Sequence, residues 1–209
     1  MSNERKLRLG ILGSGKGSNA AAIADACASG EIPGEVVLVV SDVPNAGILD
    51  KARTRGLPAL HIAPGKFRTK LDETAEAAFV EALQKAAVDL VVLAGFMRIL
   101  KGEFLRTFAN RVVNIHPALL PAFPGLDAWK QALDYGVKVT GVTVHFVDQG
   151  IDTGSIIAQE TVPILPGDTA ETLHARIQEA ERKIYPAVIA ALARGEIRVQ
   201  GRQTLWKGA

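Results

Sequence analysis

The residues best suited to do chemistry in this chain lie in NIHPALLPAFPG, Asn114 to Gly125. A hydrophobic run, RVVNIH (111–116), ends there in an amide and an imidazole two positions apart. Alternate residues of a strand point to one face, so Asn114 and His116 share a side. An imidazole gives or takes a proton near neutral pH, and a carboxamide donates a hydrogen bond to an oxygen gaining negative charge. The pair predicts a carbonyl-addition site rather than two polar strand caps. Pro117, Pro121 and Pro124 then fix the following loop without adding N–H groups that need partners.

A second chemical stretch is GSGKGSN (13–19), set between a first apolar run and a first helical one. Unpaired backbone amides at a helix start attract an anion, and glycines let the chain approach it closely. The spacing Gly13, Gly15, Gly17 matches neither the dinucleotide fingerprint nor the triphosphate loop. Ser18 and Asn19 add side-chain donors, which suits a compact monophosphate. Asp42, however, ends the second apolar run, where a dinucleotide enzyme keeps its ribose-binding acid, so a nicotinamide-dependent dehydrogenase stays as the alternative.

The third stretch is HFVDQGIDTG (145–154). Its acids, Asp148 and Asp152, suit turns, yet either could orient a catalytic imidazole, and the sequence does not choose between them. His145 within its strand and His61 at a strand end read as structural or solvent-facing, and His174 as exposed on a helix. The four scattered histidines and the single Cys27 show no metal-ligand spacing.

The elements that must hold these residues alternate in type. Apolar runs at 7–12, 36–42, 58–62, 89–95 and 111–116 read as strands buried on both faces. Between them, helices are predicted over 18–29 closed by Gly30, 45–55 closed by Gly56, and 70–87. VTGVTVHFV (139–147) and SIIAQETVPI (155–164) read as an antiparallel pair joined to the sheet. A last helix is expected from Thr169 to Arg194, with the threonine as N-cap. The expectation is an α/β fold: a Rossmann-like open, mostly parallel sheet with helices on both faces and an antiparallel strand pair near the C-terminal part. Trp206 in the tail either folds back on the sheet or packs loosely.

With 209 residues, 48% hydrophobic and 22% charged, the chain has the composition of one globular domain over 1–209. A net charge of +2 offers no general argument for a nucleic-acid partner. One cysteine excludes a disulfide framework, no run approaches a membrane span, and MSNERKLRLG lacks the apolar core of an export signal. A cytoplasmic location is expected.

Taken in order, GSGKGSN, LAGFMRIL, NIHPALLPAFPG and VHFVDQGIDTG closely resemble the phosphoribosylglycinamide formyltransferases, folate-dependent enzymes of purine biosynthesis, over nearly the whole chain. The resemblance implies transfer of a formyl group from 10-formyltetrahydrofolate, as co-substrate and without a metal, to the amine of glycinamide ribonucleotide. It places the catalytic trio on Asn114, His116 and Asp152, and the ribonucleotide phosphate on Gly17, Ser18 and Asn19. Further ribonucleotide contacts fall on Gln178, Glu179, Ala180 and Glu181. Folate contacts, largely through backbone groups, fall on Met97, Arg98, Ile99 and Leu100, on Asn114, and on Asp148, Gln149, Gly150, Ile151 and Asp152. Lys70 lies toward the folate tail. The implied partners are small molecules, with no nucleic acid or membrane, for a monomer or homodimer. Thr153 stands where the family usually has glycine, and Arg182 where histidine is common. Methionyl-tRNA formyltransferase and formyltetrahydrofolate deformylase share this core but carry additional domains, for which a chain of this length is expected to have no room.

Overall fold

The computed structural model describes residues 5–208; residues 1–4, part of the stretch read for an export signal, and residue 209 lie outside them. Two compact units divide the chain, one reaching Val113 and the other starting at Asn114.

The first unit follows the expected alternation. It contains β1 (Leu7–Leu12), α1 (Ser18–Ser29), β2 (Gly34–Ser41), α2 (Gly47–Arg53), β3 (Ala59–His61), α3 (Glu73–Lys85), β4 (Leu90–Leu93) and α4 (Gly102–Thr107). β1 pairs in parallel with both β2 and β4, and β2 with β3. Leu9, Ile11, Val39, Val40, Val91 and Val92 are almost wholly buried, as strands covered on both sides require. α1 spans the predicted residues, and Gly30 ends it in the left-handed conformation. α3 starts later than predicted because Asp72, in extended backbone, caps it by accepting from Ala75 N. α4 was not expected, since six residues are too few to show helical periodicity.

β5 (Val112–His116) runs across the boundary, and the second unit continues with α5 (Ala128–Tyr135), β6 (Val139–Phe146), β7 (Ile156–Pro163), α6 (Ala170–Ala193), β8 (Ile197–Gln200) and β9 (Gln203–Trp206). β6 and β7 form the anticipated antiparallel pair, with a register shift between Val144 and His145. Thr169 caps α6 in a capping box closed by Thr172. The apolar stripe of α6, Leu173, Ile177 and Ala180, packs on Val142 and Val162. The order β3-β2-β1-β4-β5-β6-β7 makes a seven-stranded sheet, while β8 and β9 form a separate hairpin. That hairpin was not expected, and it decides the place of Trp206: its Nε1 donates to Ile157 O at 3.1 Å and Thr204 Oγ1 to Ile156 O at 2.8 Å, folding the tail back onto β7.

Candidate active site

The second unit gathers the chemistry. β5 delivers Asn114 and His116 at its carboxyl end, and the loop before β7 delivers Asp152. His116 is 4% exposed. Its Nδ1 faces Asp152 Oδ2 at 3.3 Å, and its Nε2 lies 2.8 Å from Phe123 O. A carbonyl and a carboxylate only accept, so both ring nitrogens stand opposite acceptors, an arrangement that two N–H donors satisfy. Asp152 Oδ2 also accepts from Gly125 N at 2.8 Å. The proline loop therefore serves both members, orienting the ring through Phe123 and the carboxylate through Gly125. Phe123 and Asp152 both hold left-handed backbone, each at φ 53. Non-glycine residues adopt that conformation at a cost, and such strain concentrates at functional positions.

Of the two sequence readings of His145, structural or solvent-facing, the buried one holds: it is 2% exposed, with Nε2 at 3.2 Å from Asn114 Nδ2 and 3.7 Å from Asp152 Oδ1. Burial pushes its pKa below the ordinary histidine value, against the smaller opposing effects of a hydrogen bond to Phe146 and the Asp152 charge. Because Nδ1 lies 2.8 Å from Phe146 O, the proton of the neutral ring sits on Nδ1. Nε2 is then an acceptor, so Asn114 must turn its NH2 toward it. This fixes the carboxamide orientation and leaves the second N–H of Asn114 for another acceptor. Alternation along β6 places the ring on one face, but the sequence does not reveal that Asn114 lies opposite it.

The two loop acids separate. Asp148 Oδ1 accepts from Gly150 N at 3.0 Å and from Thr153 Oγ1 at 2.6 Å, making a local turn, whereas Asp152 meets the histidines. Thr153 thus supplies a hydroxyl that ties the loop. Gln149, Gly150 and Ile151 are exposed beside it.

In the first unit the glycines of 13–19 have unequal reasons. A Cβ on Gly13 would come within 2.6 Å of Ile48 Cδ1, and one on Gly17 within 2.6 Å of Ile48 Cα, where Gly17 also has φ 72. Packing demands both, and conformation demands Gly17 as well. A Cβ on Gly15 would meet nothing within 4 Å among the described residues and would face open space. Ser18 is half-buried at the start of α1, and Asn19 is buried. Lys70 and Met97 are exposed, and Leu100 is buried. Lys70 and Ile99 form a parallel bridge, and the Lys70 ammonium stands 4.4 Å from the Phe67 ring centroid. Asp42 does not stand free for a ribose. It is 3% exposed, accepts from Ser14 Oγ at 2.6 Å and pairs with Arg98 Nε at 2.6 Å, which removes the support for the dehydrogenase alternative.

On α6, Glu179 is exposed, Gln178 half-buried and Glu181 7% exposed, while the Ala180 methyl packs in the core. His174 is not simply exposed: its ring stacks on Trp129 at 3.7 Å between centroids, with Gln178 Nε2 at 3.2 Å from its Nε2.

A carboxamide, an imidazole and a carboxylate gathered at the end of a strand in an open α/β sheet offer the groups that addition of a nucleophile to a carbonyl calls for. The chain belongs to the formyl transferase family, whose model matches residues 7–189. A phosphoribosylglycinamide formyltransferase of Mycobacterium tuberculosis is 46% identical over 200 residues, covering 93% of this chain and 89% of that protein. The crystal structure of glycinamide ribonucleotide transformylase 1 from Symbiobacterium toebii is similar, with a TM-score of 0.92, 48% identity and 99% of each chain covered. The trifunctional purine biosynthetic protein adenosine-3 of Drosophila melanogaster is 45% identical over 197 residues; these are 93% of this chain and 14% of that protein's length.

Proposed function

We propose that the chain transfers the formyl group of 10-formyltetrahydrofolate to the amine of glycinamide ribonucleotide, with 1–209 acting as one formyl-transfer domain in the cytoplasm. The observation that carries this reading is the meeting of Asn114, His116 and Asp152 around one strand end, with the His116–Asp152 contact at 3.3 Å. The similarity to named formyltransferases supports it.

In this reaction the uncharged amine attacks the formyl carbon, and the carbonyl electrons move to oxygen. The Asn114 N–H not engaged by His145 donates to that oxyanion. His116 Nε2 lies against the Phe123 carbonyl and Nδ1 faces Asp152, so a ring proton moves toward the reacting atoms from Nδ1, beside that carboxylate. The intermediate collapses by breaking the bond to the folate nitrogen. That nitrogen takes up a proton, and the attacking amine releases one, so the overall step is proton-neutral. The loop 13–19 binds the ribonucleotide phosphate through Gly17, Ser18 and Asn19, with Gln178, Glu179 and Glu181 on the same substrate. The segments Met97–Leu100 and Asp148–Asp152 hold the folate through backbone groups, and Lys70 reaches its tail. Only small-molecule partners are needed; among the described residues no helix is long and apolar enough to cross a membrane.

The test is purified protein with both substrates, followed by absorbance as the folate product appears. Expected is product formation that requires the ribonucleotide. Folate turnover at the same rate with the ribonucleotide omitted would identify a hydrolase instead.

A further inference from the structure

We infer that Asp42 is a positioning residue that holds the phosphate loop and the folate segment of the first unit in one fixed register. The inference rests on the assignment of 13–19 and 97–100 to the two ligands. Asp42 ends β2, and each of its carboxylate oxygens serves a different segment. Oδ1 accepts from Ser14 Oγ in the glycine loop, and Oδ2 pairs with Arg98 Nε, both at 2.6 Å. The same Ser14 hydroxyl accepts from Met97 N at 2.9 Å, and Ser14 N donates to Gly95 O at 3.0 Å. Arg98 extends the tie by donating from Nη1 to Phe67 O at 3.2 Å and to Arg68 O, while Ile99 N donates to Thr69 O at 2.9 Å beside Lys70.

One acid thus joins three stretches far apart in sequence. The Asp42 side chain is 1% exposed and that of Arg98 is 19% exposed. A buried ion pair adds little stability over an apolar pair of the same shape, and its characteristic contribution is to select one geometry. Here the geometry selected is the spacing of the two ligand segments. The acid that the sequence offered as a ribose ligand is buried, with each oxygen engaged inside the first unit.

The experiment measures KM for each substrate and kcat in the wild type, Asp42→Ala, Ser14→Ala, their double variant and Asp42→Asn. Wild-type turnover tests the functional reading, and the ratios of the variants to wild type test the inference. Asp42→Ala and Ser14→Ala should each raise both KM values by about tenfold while kcat falls less than about threefold. The double variant should fall short of the product of the two single effects, because both single variants cut the same Ser14–Asp42 link. Asp42→Asn keeps an acceptor for Ser14 and loses the charge facing Arg98. It should therefore restore the ribonucleotide KM while leaving the folate KM raised, a split that general loosening of the fold does not produce. If Asp42→Ala fails to fold, Ser14→Ala and Asp42→Asn carry the test. An active wild type with both KM values within about twofold in all folded variants, or additive losses in the double variant, overturns the inference alone. A wild type without formyl transfer overturns the functional reading and the inference with it.

Discussion

Replacing Gly15 and Gly17 in turn by alanine separates what the glycine loop does for the fold from what it does for a ligand. At Gly17 the backbone sits at φ 72 and ψ 33, where a residue with a Cβ pays about 1–2 kcal/mol. The new methyl would also stand 2.6 Å from Ile48 Cα and 2.7 Å from Ile48 Cβ. Backbone cannot swing aside as a side-chain tip can, so overpacking adds about 1–3 kcal/mol. The total, about 2–5 kcal/mol, corresponds to a Tm lower by about 4–20 °C in a domain of this size. At Gly15 an added Cβ would have nothing within 4 Å among the described residues, and the backbone is not left-handed. Alanine there should be neutral or stabilising by about 0.4–1 kcal/mol, through the unfolded chain. The same methyl occupies the open side where a phosphate would approach, so the KM for the ribonucleotide should rise about tenfold, or 1.4 kcal/mol, with the folate KM unchanged. Thermal melts and two-substrate kinetics on both variants provide the measurement. A Gly15→Ala enzyme with an unchanged ribonucleotide KM would refute phosphate binding by this loop. A Gly17→Ala protein as stable as wild type would refute the packing argument.

Three further outcomes are expected. Asn114→Ala should lower kcat by about 100- to 1000-fold, the loss typical of one oxyanion donor, and unchanged turnover would remove the amide from the mechanism. His145 has a folded pKa below its unfolded value, so its contribution to stability is complete above the ordinary histidine value and is lost as pH falls from there through the folded value. Melting temperatures across this range should therefore fall less with acid in His145→Gln than in wild type, and parallel curves would show that this ring is not the group responsible. Among the described residues Thr140 Oγ1 is buried without a hydrogen-bond partner, so Thr140→Val should stabilise by about 1 kcal/mol in urea titrations; a loss of stability would mean that the hydroxyl is satisfied after all.

Much of this architecture is legible in the sequence. β1 and α1 occupy their predicted residues, and the antiparallel pair lies within its expected span, because continuous apolar runs and helical periodicity report burial directly. Asn114 and His116 were also legible as neighbours, since two residues apart on a strand means the same side whatever surrounds it. The short α4 and the β8–β9 hairpin were not, being too brief or too polar to show a period.

The partners of these residues were decided only in three dimensions. Composition and spacing left Asp148 and Asp152 equivalent, and the turn closed by Thr153 engages the first while the second faces His116. They presented His145 as one more strand residue, although its Nε2 meets Asn114, 31 positions away. They presented Asp42 as a ribose acid, whereas Ser14 and Arg98, 28 and 56 residues away, take its oxygens. Local pattern determines which face a side chain occupies, because backbone geometry repeats along the chain. Which atoms it meets depends on distant segments brought together by folding, and that information resides in the tertiary structure.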